Sequence, residues 1–103
     1  KINLIISANI TSIRYRTWCR KNLNSFVQVY IKSQISELIK RDYKGLYKKA
    51  LKGKIKNVVG VDLPFKHPKN IDIEIVNDDS KKKFLKNVTL INNYLKKRKI
   101  KIY

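Results

Sequence analysis

"KNVVGVDLPFKHPKN", residues 56–70, is a Val-rich run that passes through Gly60 into Leu63-Pro64 and ends in a basic tip holding His67 and Pro68. Val58, Val59, Val61 and Leu63 read as a strand, because β-branched and apolar residues bounded by turn formers suit a pleated, half-buried segment. Proline lacks the backbone N–H that a ladder needs. The strand is therefore expected to stop at Pro64, with a stiffened loop beyond it in place of a two-residue hairpin turn.

On the N-terminal side, Val27, Val29 and Ile31 alternate with Gln28, Tyr30 and Lys32 after Phe26, the period-two pattern of a strand. Ile35, Leu38, Ile39, Tyr43, Leu46, Tyr47, Ala50 and Leu51 then recur at three- and four-residue steps. That spacing predicts one amphipathic helix of about five turns. Ser33 is placed to cap it and Gly53 to end it in a left-handed conformation, while Gly45 inside it costs about 1 kcal/mol relative to Ala. On the C-terminal side, "IDIEIV" (71–76) alternates Ile71, Ile73 and Ile75 with Asp72 and Glu74. Asp78, Asp79 and Ser80 can cap a second helix striped by Phe84, Leu85, Val88, Ile91 and Leu95. "RKIKIY" (98–103) reads as a last strand.

The expected fold class is α+β, a ferredoxin-like split β-α-β-β-α-β over residues 26–103. Its four-stranded antiparallel sheet would carry two helices on one face, with the first and third strands central. Residues 1–25 read as a basic and aromatic N-terminal extension, in which Arg14, Arg16, Arg20 and Lys21 interleave with Tyr15 and Trp18.

A chain of 103 residues is long enough for one domain with a modest core. Lys and Arg number 25 against 7 Asp and Glu, a net charge of +18 that points to a polyanionic partner, nucleic acid ahead of an anionic membrane surface. Cys19 is the single cysteine and His67 the single histidine. Neither an intramolecular disulfide nor a Cys/His metal cluster is expected, a reducing interior is the expected address, and no cofactor is implied. Apolar runs such as Leu4-Ile5-Ile6 fall far short of the roughly 20 residues of a transmembrane segment. The absence of Met and the start at Lys1 fit a trimmed precursor or part of a longer chain.

The run "VQVYIKSQISELIKRDYKGLYKKALKGKIKNVVGVDLPFK" (27–66) resembles, in element order, spacing and the closing Leu-Pro followed by Lys, the universal small-subunit ribosomal protein ten (NusE-like) family. The resemblance implies a non-catalytic constituent of the small ribosomal subunit head, supporting translation. Its implied partners are ribosomal RNA and other small-subunit ribosomal proteins, with no small-molecule substrate. In that family a long basic hairpin tip enters the RNA, which would explain the tip at 64–70. Val61 and Asp62 depart from the family's proline-rich pattern, the tip is short, and residues 1–25 have no counterpart in the compact bacterial form. An extension, a trimmed loop and a Lys/Asn/Ile/Tyr-rich composition fit an organellar form, hence a mitochondrial ribosome on the matrix side.

Candidate rRNA contacts under that reading are Arg14, Arg16, Trp18 and Arg20 in the extension, and Lys66, His67 and Lys69 at the tip. Lys81, Lys82 and Lys83 near the second helix start, and Lys97 and Arg98 near its end, complete the set. Guanidinium and ammonium groups would meet phosphates and rings would stack on bases. Each cluster also reads as a solvated face, and the aromatics as anchors. No catalytic residue is assigned, because His67 lacks an orienting carboxylate and a nucleophile in any motif. Three alternatives share the topology or the charge. An RNA-recognition module is opposed by Asp72 and Glu74 beside Tyr30 on its binding face. An acylphosphatase-type enzyme lacks the needed Gly and Arg after Ile31 in "KSQISELIK" (32–40). An accessory subunit of another large organellar complex is the third.

Overall fold

The computed structural model describes residues 2–78 and 80–102. Its elements are α1 (Ile13–Asn22), β1 (Val29–Lys32), α2 (Ile35–Lys40), α3 (Leu46–Leu51), β2 (Ile73–Val76), α4 (Lys81–Leu85) and α5 (Asn87–Lys97). β1 and β2 pair in parallel, with Val29 opposite Ile73 and Ile31 opposite Ile75. Parallel neighbours need a long crossover, and here α2, α3 and the loop to residue 72 provide it. The expected four-stranded antiparallel ferredoxin-like sheet is thereby overturned: among the described residues the sheet has two strands, and they are parallel.

The predicted second strand fails for a local reason. Asp62 turns its carboxylate back to accept from the N–H groups of Asn57 at 2.6 Å and Val58 at 2.7 Å. The Val58 carbonyl accepts from Val61, Asp62 and Leu63, and the Gly60 N–H donates to the Leu63 carbonyl. Gly60 permits this closure at φ +87°, a region open to a residue without Cβ. Backbone groups that a ladder would use are thus consumed inside a tight turn, which aims Val58 into the interior.

The predicted long helix is broken in two. Gly45 stands at φ +70° at the start of α3, and the Asp42 carboxylate accepts from the Leu46 and Lys48 N–H groups at 2.8 and 3.0 Å. That cap satisfies donors which a continuous helix would have given to preceding carbonyls. Gly53, at φ +68°, ends α3 as expected: its N–H donates to Ala50 and that of Lys54 to Lys49, the double closure of a Schellman motif. α2 begins after Gln34 rather than Ser33, whose hydroxyl donates to the Asn77 carbonyl. Ser80 does cap α4, accepting from the Lys83 N–H. Asp78 serves α2 instead, accepting from the Gln34 N–H. The last predicted strand is spent on stopping α5, since Lys99 turns left-handed at φ +52° and the Ile100 N–H donates back to Leu95. Lys1, Asp79 and Tyr103, to which the sequence reading gave a start, a cap and a strand end, lie outside the described residues.

Val58, Ile73 and Ile75 form the buried apolar core. Asp72 ties the surrounding elements to it. Its carboxylate accepts from Arg20 of α1 at 2.7 Å, from the Gln28 N–H ahead of β1 at 2.8 Å and from the Tyr94 hydroxyl of α5 at 2.7 Å. The second predicted helix is likewise split at Lys86 into α4 and α5. No helix among the described residues is long and apolar enough to cross a membrane.

Candidate functional site

The crossover carries the densest charge. Lys40, Arg41, Lys44, Lys48, Lys49, Lys52, Lys54 and Lys56 are all exposed along α2, α3 and the segment leading to the 57–63 turn. Glu37 engages Lys40 at 2.6 Å and Arg41 at 3.9 Å, and Arg41 also donates to the Asn77 carbonyl. Among the described residues no carboxylate lies within ion-pair distance of Lys44, Lys48, Lys49, Lys52 or Lys54. The Asp42 cap and the Gly53 closure hold their backbone in one course. A fixed cluster of uncompensated cations raises the local concentration of anions. Asp62 sits at the end of this arm, and the Asn57 and Val58 N–H groups, with Lys56 nearby, hold its carboxyl below the usual carboxylate range.

At the sheet, Tyr30 of β1 stacks on Phe65 with ring centroids 5.9 Å apart, and His67 meets it edge-on at 4.9 Å. His67 Nε2 is 3.0 Å from the Glu74 carboxylate and Nδ1 is 3.0 Å from the Pro68 carbonyl. Burial, then the Glu74 charge, pushes the Tyr30 hydroxyl up. Pro68 itself is buried. The basic tip is therefore folded back onto β1 and β2 through its rings. Two shallow hollows flank β2, one lined by Glu74, Leu90, Asn93, Tyr94 and Lys97 among others, the other by Arg41, Asn77, Lys81 and Phe84. No group of His, Cys, Asp and Glu suited to a metal ion occurs among the described residues.

The structure scatters the residues singled out from the sequence. Arg14, Trp18, Lys66 and Lys69 are exposed. Arg16 donates to the Ile10 carbonyl at 2.7 Å, closing the start of α1. Arg20 is engaged by Asp72 and the Asn70 carbonyl. Lys81, Lys82 and Lys83 lie exposed on α4; Lys97 borders the first hollow, and Arg98 donates to the Tyr94 hydroxyl. Lys66 and Lys69 flank His67 on the tip folded against β1 and β2. Sequence reading passed over the 40–56 arm because lysines at helical spacing look like an ordinary solvated face. The signal was their density, with Asp42 as the one acid among them.

Comparison with known proteins matches the family model for adenylylsulphate kinase to residues 2–76, from the N-terminal run through β2. A probable adenylyl-sulfate kinase of Archaeoglobus fulgidus is 40% identical over 67 residues, covering 62% of this chain and 43% of its own length. The adenylyl-sulfate kinase of Clostridium acetobutylicum is 41% identical over 90 residues, 85% of this chain and 44% of the relative. A cytidine diphosphoramidate kinase of Campylobacter jejuni is 53% identical over 49 residues, 48% of this chain and 29% of the relative. The chain thus spans less than half the length of these relatives. No solved structure matches.

These matches overturn the ribosomal reading. The stretch 27–66 that resembled the ribosomal protein ten family lies wholly inside the kinase match, and the Leu-Pro mark is the exit of a turn, not of a strand. A small-subunit constituent with ribosomal RNA and ribosomal proteins as partners, its RNA-module and accessory-subunit alternatives, and the expectation of no enzyme and no small-molecule substrate give way to a family of enzymes acting on small nucleotides. The mitochondrial setting rested on that resemblance together with the Lys/Asn/Ile/Tyr-rich composition, and the bacterial and archaeal relatives lend it no support. The match runs over well more than half of the residues, and the chain belongs to the adenylylsulphate kinase family.

Proposed function

We propose that this chain forms the basic, anion-facing part of a kinase that phosphorylates adenylyl sulfate. The family match carries the reading, together with the uncompensated Lys44, Lys48, Lys49, Lys52 and Lys54 beside the Asp62 turn. Phosphoryl transfer asks little covalent chemistry of a protein; it asks for positioning and for positive charge facing the phosphoryl oxygens. Adenylyl sulfate adds a sulfuryl and a phosphoryl group, both anionic, for lysines to hold. The phosphate-cradling pattern Gly-x-x-x-x-Gly-Lys-Ser/Thr does not occur in these 103 residues, whose glycines at 45, 53 and 60 each serve a turn. The role proposed for this stretch is accordingly ligand binding by the arm.

The test is binding of adenylyl sulfate to the full chain by calorimetry at low and moderate salt. Lys48→Glu with Lys49→Glu is expected to weaken binding by about tenfold or more, and salt to weaken the parent similarly. Adenylyl sulfate binding no tighter than inorganic sulfate, or indifferent to the charge reversals, would overturn the reading. The higher identity to the Campylobacter jejuni cytidine diphosphoramidate kinase favours a second reading, a cytidine nucleotide as acceptor. Competition between cytidine diphosphate and adenylyl sulfate decides between them.

A further inference from the structure

Beyond residue 76, where the family match ends, the chain carries a second dense block of charge. Nine Lys and Arg, and no Asp or Glu, stand between 81 and 101. Lys81, Lys82 and Lys83 open α4, where cations oppose the helix dipole, so helix stability does not account for them. Among the described residues no carboxylate lies within ion-pair distance of Lys81, Lys82, Lys86, Lys96 or Lys97.

The helix orders this block. Lys86, at the break between α4 and α5, keeps right-handed helical angles, φ −61° and ψ −23°. The half-buried residues Phe84, Asn87, Ile91, Tyr94 and Leu95 accordingly hold three- and four-residue steps across it. The same spacing lays Lys81, Leu85, Val88, Asn92 and Lys96 in one exposed row, about 22 Å long at the helical rise per residue. Leu85 and Val88, at its middle, are 53% and 51% exposed, with a lysine at either end.

The possible occupants differ in chemistry. An apolar protein face would strip water from Lys81 and Lys96 and leave them unpaired. A second copy of the chain would bring another +18 charges to the same surface. Single-stranded nucleic acid is held by rings on which bases stack, but here Phe84 and Tyr94 turn inward and the exposed apolar residues are aliphatic. An anionic phospholipid surface matches both parts of the row. Aliphatic side chains enter the boundary between headgroups and acyl chains, and lysine stems lie along it with their ammonium groups at the lipid phosphates.

We infer that the Lys81–Leu85–Val88–Lys96 row is a docking face by which the chain lies on an anionic phospholipid surface. The inference asks nothing of the 44–54 arm and holds whatever the kinase substrate is.

The test sediments the full chain with vesicles of equal parts phosphatidylcholine and phosphatidylglycerol, and with vesicles of phosphatidylcholine alone. Binding is expected to the first and not to the second, and it should weaken as salt rises. Leu85→Ser with Val88→Ser, which leaves the charge at +18, should weaken it by about tenfold or more. Lys81→Ala with Lys96→Ala should do the same, whereas Lys66→Ala with Lys69→Ala, an equal loss of charge at the tip, should leave it within about twofold. In a Trp18→Phe chain, the emission of Leu85→Trp should shift to the blue on the anionic vesicles. Binding indifferent to the serine pair, equal losses from the two lysine pairs, no blue shift from Leu85→Trp, or tighter binding to a single-stranded oligonucleotide than to the anionic vesicles would each overturn the inference.

Discussion

Asp72 accepts hydrogen bonds from Arg20, the Gln28 N–H and Tyr94. Burial pushes its carboxyl up, but those three donors outweigh it and hold the group below the ordinary carboxylate value. A folded-state value below the unfolded one stabilises the fold above the unfolded value, near 3.9, and that contribution is lost as pH falls through the folded value. Thermal melts of the parent should therefore drop in stability on acidification below about pH 4. Asp72→Asn should melt lower by about 1–3 kcal/mol at neutral pH and show a flatter acid limb. At the Asp62 turn, Asp62→Ala strips acceptors from the Asn57 and Val58 N–H groups. Amide exchange at those two positions should accelerate, whereas Asp62→Asn, which keeps one acceptor oxygen, should fall between.

Among the elements, α3 is set by its ends rather than by its propensity. Gly53 has open space around an added Cβ, so Gly53→Ala is opposed by its φ of +68° alone. It should lower stability by about 1 kcal/mol in denaturant melts with an unchanged slope, and Gly53→Asn should lower it less. The same elements show what a sequence can and cannot convey. Val29 and Ile31, and Ile73 and Ile75, were readable as strands because alternation is local, and Gly53 and Ser80 because caps are local. The sense of pairing was not readable, since nothing in either strand says whether its neighbour runs parallel. Val58 to Leu63 misled because valines signal a strand while the competing bond, from Asp62 back to Asn57, forms only once Gly60 has turned. The lysine arm was legible as composition and not as a site, because a solvated helix face and an anion-binding one carry the same residues.

For the molecule as a whole, a core of Val58, Ile73 and Ile75 leaves little in reserve. Ile75→Ala should cost about 2–5 kcal/mol, comparable with the full stability of a marginal domain. Circular dichroism should show the variant largely unfolded at room temperature. The exposed, uncharged Ile2–Ile6 run has the makeup of an aggregation-prone strand. What keeps such runs on different molecules from zipping together is mutual repulsion between chains of +18. The free chain should therefore be a colloid held in suspension by its charge, and its solubility limit should fall when that charge is masked. Light scattering should rise on adding salt or heparin, and Ile5→Lys should delay the onset of turbidity.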